Sequence, residues 1–136
     1  MKRIMVLFSI VLVAAALAPL PAVPGETMKC AECGMMVDQG SKFSALIEGD
    51  AKTILPFCDI GDLLVYLNKK SLAPATARVK EYKTGEWISA DKAFYVHAEK
   101  AFKTPMGWGI AAFKNREDAA AYGTPRDLNG IMRAVK

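Results

Sequence analysis

The chain has 136 residues and a mass of 14.7 kDa, enough for one domain or two very small lobes. An apolar fraction of 52% beside 24% charged residues excludes a disordered chain, a collagen-like repeat and a multi-span membrane protein. The formal charge is +4, but Lys2 and Arg3 supply two of those charges, and from Glu26 onward 16 bases face 14 acids with no basic run, so nucleic acid is not indicated as a partner.

Residues 1–25 contain no acid and read as an address. Met1-Lys2-Arg3 is a positive start, and Ile4 to Ala18 is an apolar stretch of secretory length. Two readings stand. One is a signal peptide cleaved after Ala22 or Gly25. The other is an uncleaved anchor, since Ile4 to Val23 just reaches across a bilayer of about 30 Å. Both place residues 26–136 outside the cytoplasm. No lipobox precedes Cys30, so a lipid anchor is not expected.

In the exported part, residues 26–41 read as a lead segment bearing candidate ligands. Lys42 to Glu48 alternates apolar and polar positions and predicts a strand. Gly49-Asp50 is a turn, and Thr53 to Phe57 a returning strand. Asp59 is an N-cap, and Ile60, Leu63, Leu64 and Leu67 recur at helical spacing, predicting a helix over Asp59 to Lys69. Asp62 adds negative charge to its first turn. A third strand is expected over Ala77 to Lys83, a turn at Thr84-Gly85, and an extended piece over Glu86 to Ile88. Ser89 is expected to cap one helical turn through Ala93. Strands follow at Phe94 to Ala98 and Ile110 to Phe113, separated by a loop over Lys103 to Gly109. Asn115 caps a helix through Tyr122, and Thr124-Pro125 opens a last helix to about Val135.

The fold class expected is α+β. The order of elements suggests two small ββαβ-type lobes in weak tandem duplication, about 26–76 and 77–136, within a single domain of residues 26–136.

The chemistry concentrates in Met28-Lys29-Cys30-Ala31-Glu32-Cys33-Gly34-Met35-Met36, where two thiols and three thioethers fall within nine residues. Soft sulfur donors select soft ions, above all Cu(I), whereas thioethers add little for Zn(II). Cys30-x-x-Cys33 has three other readings. One is a thioredoxin-like redox pair. Another is a zinc site from Cys30, Cys33, Cys58 and the single His97. The third is a structural disulfide between Cys30 and Cys33, or from either to Cys58. Three cysteines cannot all pair internally, so at least one thiol is free, metal-bound or paired to another chain. Met106, flanked by Pro105 and Gly107, sits where no core methionine is expected and can close a site formed by the lead segment. Trp108 beside it either shields such a site or packs. No nucleophile elbow, phosphate loop or acid–base pair is present, and Glu48, Asp50, Asp59 and Asp62 are absorbed by turns and a helix start. An enzyme is not expected.

Several motifs carry a family resemblance. They are Cys30-x-x-Cys33-Gly34-Met35-x-Val37, then Phe57-Cys58-Asp59-x-x-Asp62-Leu63-x-x-Tyr66, then Trp87-x-Ser89-Ala90-x-x-Ala93-x-Tyr95-Val96. Pro105-Met106-Gly107 and Ala112-Phe113 complete the series. In this order, over residues 30–122, they resemble the NosL family, the copper-binding accessory proteins of nitrous oxide reductase. The resemblance implies two similar ββαβ lobes, one Cu(I) held by sulfur, and delivery of copper to an exported nitrous oxide reductase or a related copper enzyme. It carries ligand roles onto Cys33, Met35 and Met106, with Cys30 as a fourth. Met36, Cys58 and His97 stand behind these. Asp59 matches an acid of the family's Phe-x-Asp element. A shorter resemblance over residues 30–58, to YHS and TRASH metal-binding modules, favours zinc or heavy-metal binding and recruits Cys58. A periplasmic dithiol redox protein is the remaining alternative.

Overall fold

A computed structural model describes residues 28–50 and 53–135 of the chain. The expected signal or anchor lies outside the described residues. Among those described, no helix is long and apolar enough to cross a membrane.

Four strands form one antiparallel sheet in the order β2-β1-β3-β4. They are β1 (Ala45–Glu48), β2 (Ile54–Phe57), β3 (Ala77–Lys80) and β4 (Trp87–Ser89). Ala45 stands opposite both Phe57 and Val79, so the inward positions of three strands line up on one face. Helix α1 (Ile60–Lys70) covers that face. Its Leu63, Leu64 and Leu67 are buried, each stabilising the fold by about 1.5–3 kcal/mol relative to exposure. Asp59 caps α1 by accepting from the Gly61 N–H at 3.0 Å. Lys69 and Lys70 end the helix, where positive charge is favoured.

The second sheet is a hairpin of β5 (Phe94–His97) and β6 (Ile110–Phe113). Helix α2 (Arg116–Ala120) follows it, and then Arg126 exchanges two 2.8 Å backbone hydrogen bonds with Tyr95. Hairpin, helix and returning residue repeat the plan of β1, β2, α1 and β3, with the last strand reduced to one bridge. The sheet of the first half runs past residue 76, because β3 pairs with β1, and β4 with β3, and neither pairs with β5 or β6. A parallel bridge between Glu81 and Ala112 joins the two sheets. The main core is shared as well: Phe57, Leu63 and Val79 belong to the same buried cluster as Tyr95, Ile110 and Ile131. The strand β6 is buried on both sides, with Ala111 and Phe113 facing a second core built on Phe102 and Ala119. The Tyr82 and Phe102 rings meet edge to face there, at 4.9 Å.

Three local expectations need correction. Ser89 caps no helix: its Oγ donates to Asp91 at 2.6 Å, and residues 90–92 make a simple turn. The last helix, α3 (Leu128–Ala134), starts later than Thr124-Pro125. Arg126 is held extended by Tyr95, so the helix begins only after Asp127, whose carboxylate accepts from the Gly130 N–H at 2.6 Å. The third strand stops at Lys80, and residues 82–84 form a turn that the Gly85 N–H closes on the Glu81 carbonyl at 2.8 Å.

Tyr95 ties the halves together, with its hydroxyl donating to the Ala90 carbonyl at 2.6 Å in a fully buried setting. Replacing Tyr95 with Phe leaves that carbonyl unpaired and lowers stability by about 1–3 kcal/mol in chemical denaturation. An unchanged midpoint contradicts this role for the hydroxyl.

Candidate metal centre

The lead segment folds into a small knuckle. Lys29 and Met36 form an antiparallel bridge, and the Cys30 N–H donates to the Met35 carbonyl at 2.7 Å. The Gly34 N–H returns to the Cys30 carbonyl at 2.9 Å, closing a turn in which Gly34 has φ +76°. Glycine takes this left-handed backbone without the steric penalty that other residues carry. Two ties hold the knuckle to the domain. The Ala31 N–H donates to the Pro56 carbonyl on the edge strand β2 at 2.8 Å, and Glu32 pairs with Lys69 of α1.

This arrangement delivers Cys30 and Cys33 to the start of α1. Cys58 lies at the end of β2, just before the helix cap, and Asp62 is one helical turn beyond it. The extended cap residue Asp59 lies between them, and the Cys58 sulfur reaches Asp62 Oδ2 at 3.5 Å. The sulfurs of Cys30, Cys33 and Cys58 and a carboxylate oxygen of Asp62 all lie within 4.8 Å of one another. Cys33 and Cys58 sulfurs are 3.4 Å apart, and Asp62 Oδ2 accepts from Cys30 at 3.4 Å and Cys58 at 3.5 Å. Cys30, Cys58 and Asp62 are buried, whereas Cys33 is half-buried and forms the open side of the group.

A loop from the second half completes the wall. The Trp108 indole N–H donates to Asp62 Oδ1 at 2.9 Å, leaving Oδ2 turned toward the thiols. The indole lies directly on Gly61, where a Cβ would stand 2.0 Å from the ring, so no larger residue fits at position 61. The Met106 N–H donates to Asp59 Oδ2 at 3.0 Å, fastening the Pro105-Met106-Gly107 turn to the cap of α1.

Burial pushes the Cys58 thiol far above its ordinary value, helped by its hydrogen bond to Cys33 and by the neighbouring Cys30. Burial also raises Cys33, although the Met35 N–H works against it. Asp59 is raised by burial too, in spite of hydrogen bonds from Thr104, Gly61 and Met106. Cys33 and Cys58 are thus protonated at neutral pH until a cation takes the place of their protons. Three thiols and one carboxylate suit a thiophilic ion with room for one oxygen donor.

The structure brings Cys30, Cys33 and Cys58 together. Met35, Met36 and Met106 are exposed, at 48%, 52% and 41%, on the knuckle and the turn fastened to Asp59. His97 lies outside the group and faces solvent, with Nε2 3.5 Å from Glu99. His97 is not among the grouped side chains. Asp62 is, a residue the sequence reading had absorbed as helix-start charge.

Fold and site together define a small α+β domain built around a three-thiol, one-carboxylate donor set that can hold a metal ion. The NosL family model matches residues 21–127, and the chain belongs to that family. A crystal structure described as the copper chaperone NosL from Shewanella denitrificans has the same fold, with a TM-score of 0.67 at 20% identity. The match covers 85% of this chain and 97% of that one. No curated protein matches the chain by sequence.

The raised thiols make stability depend on pH. An unfolded cysteine titrates near 9.0, and Cys58 in the fold titrates higher. This contribution is complete below about pH 9 and is lost progressively as pH rises above that value toward the higher folded one. The reduced, metal-free protein is expected to lose thermal stability steadily as pH rises above about 9, and Cys58→Ala to lose less. Equal losses in the two proteins contradict the assignment.

Proposed function

We propose that this chain is an exported Cu(I) carrier that hands copper to nitrous oxide reductase or a related copper enzyme, and that it works by exchange and not by catalysis. One observation carries the reading: three thiols from two segments of the chain, Cys30 and Cys33 of the knuckle and Cys58 before α1, converge on one point beside Asp62. Sulfur-rich sites favour Cu(I). Family membership and the fold shared with a protein described as a copper chaperone support it.

Cys30, Cys33, Cys58 and Asp62 are the proposed resting donors. Cys33 is the least buried of the three thiols, so an incoming ligand displaces it first. Met35 and Met106 are proposed as transit donors, since both are exposed thioethers on segments tied to the site. The acceptor's own ligands then complete the exchange.

A second reading rests on Asp62. Its oxygen is a harder donor than any thioether, and three thiolates with one carboxylate make a four-coordinate set that also suits Zn(II). A YHS-like zinc module is the alternative on that ground.

Cu(I) and Zn(II) titration of the reduced chain under competition from a chelator separates the two readings. Stoichiometric Cu(I) binding that outcompetes Zn(II) supports the carrier; the opposite order favours the zinc module. Trp108→Phe frees the Asp62 carboxylate and is expected to weaken binding about 10–100-fold, the usual effect of an outer-sphere contact. Cys33→Ser is expected to exceed that loss, and Met106→Leu to slow transfer while leaving resting affinity nearly intact.

Loading is expected to release protons. Each thiol that becomes a thiolate gives one up, so apparent affinity falls about tenfold per proton for every unit the pH drops. Proton release measured in weakly buffered solution reads the number directly. Loading without proton release excludes thiolate ligation.

A further inference from the structure

We infer that Cys33 and Cys58 form a redox pair, in preference to the Cys30-x-x-Cys33 pair that the sequence spacing suggests, and that their oxidation empties the site. The inference rests on the donor set proposed above, but its chemistry belongs to the metal-free thiols. Three observations lead to it. Cys33 and Cys58 sulfurs are in contact at 3.4 Å. Cys30 and Cys58 both donate to Asp62 Oδ2, at 3.4 Å and 3.5 Å, but Cys58 is the one that also has its sulfur against Cys33 at 3.4 Å. Cys33 is the half-buried member of the group, while Cys30 and Cys58 are 3% and 2% exposed. An oxidant from solvent therefore reaches Cys33 first and finds Cys58 beside it.

The co-reactant is a disulfide, either a small molecule or a protein. The Cys33 thiolate attacks one sulfur of that disulfide, forming a mixed disulfide and releasing the first thiol of the oxidant. The Cys58 thiolate then attacks Cys33 Sγ. The Cys33–Cys58 bond forms, the mixed disulfide breaks, and the second thiol leaves. Two thiols of the protein are oxidised and one disulfide is reduced, with two protons passing to the departing thiolates. Closing the bond requires the sulfurs to move from 3.4 Å to about 2.05 Å. The knuckle carries Cys33 on the turn that ends at Gly34 and is anchored at Ala31 and Glu32, so the shift is confined to a short segment.

The consequence for cargo is direct. A Cys33–Cys58 bond removes two of four donors and leaves only Cys30 and Asp62. Cargo and disulfide exclude each other, so bound copper protects the pair and oxidation releases it. Carriers that meet disulfides in an oxidising setting would in this way drop copper only when the site is opened.

Mapping the bond tests this. The reduced, metal-free full chain is treated with oxidised glutathione, alkylated without reduction and digested. Cleavage after Lys29, Lys42, Lys52 and Lys69 puts Cys30 and Cys33 on peptide 30–42 and Cys58 on peptide 53–69. A second cleavage after Glu32 separates Cys30 from Cys33. The expected product is residues 33–42 joined to 53–69, present also in Cys30→Ser and absent in Cys58→Ser. A bond within 30–42, a link from Cys30 to Cys58, or persistent free thiols would each overturn the inference. A companion arm with Cu(I)-loaded protein is expected to show at least tenfold slower oxidation. The metal-free mapping stands whether or not copper binds, so its failure is distinct from failure of the carrier reading. Formation of the bond with no protection by Cu(I) overturns the coupling to cargo.

Discussion

The carboxylate of Asp62 is the constraint on which the rest of the structure turns. It is buried at the start of α1, where an unpaired charge is costly. Three segments distant in sequence meet that need. Trp108 donates to one oxygen, and Cys30 and Cys58 donate to the other. Each partner brings its own segment: the knuckle comes with Cys30, the end of β2 with Cys58, and the loop between β5 and β6 with Trp108. Gly61 belongs to the same requirement, because only a residue without a side chain lets the indole lie flat on the helix.

The two halves of the molecule divide the work. The first half, with its sheet and α1, supplies every thiol and the carboxylate. The second half supplies the lid residue Trp108 and the turn bearing Met106, fastened through Asp59. Tyr95 and the bridge at Glu81 hold the halves in one core, so the lid cannot drift without disturbing buried contacts. The two similar plans are put to unequal use: the first carries the thiols, and the second ends on a single bridge and carries the closing loop.

Much of this was legible from residues alone. Periodic leucines and an Asp cap announced α1, and alternation announced β1, because each buries one face against a neighbour. The knuckle's Cys-x-x-Cys-Gly pattern announced a ligand-bearing turn. Less legible was anything set by distant pairing. Arg126 looks like helix approach until Tyr95 holds it extended, and Ser89 looks like a cap until Asp91 takes its hydroxyl. Asp62 was hidden for a related reason: an acid in a first helical turn is so ordinary that only the arrival of three thiols marks it as a donor. His97, on the exposed side of β5, pairs with Glu99 and lies outside the thiol group.

X-ray absorption on the copper-loaded chain tests the central claim most directly, because it counts donors around the ion itself. The account predicts an edge characteristic of Cu(I) and a shell of three sulfurs with one oxygen, the oxygen lost in Asp62→Ala and one sulfur lost in Cys58→Ser. A shell dominated by nitrogen and oxygen, or one unaltered by removing Cys58, would contradict it.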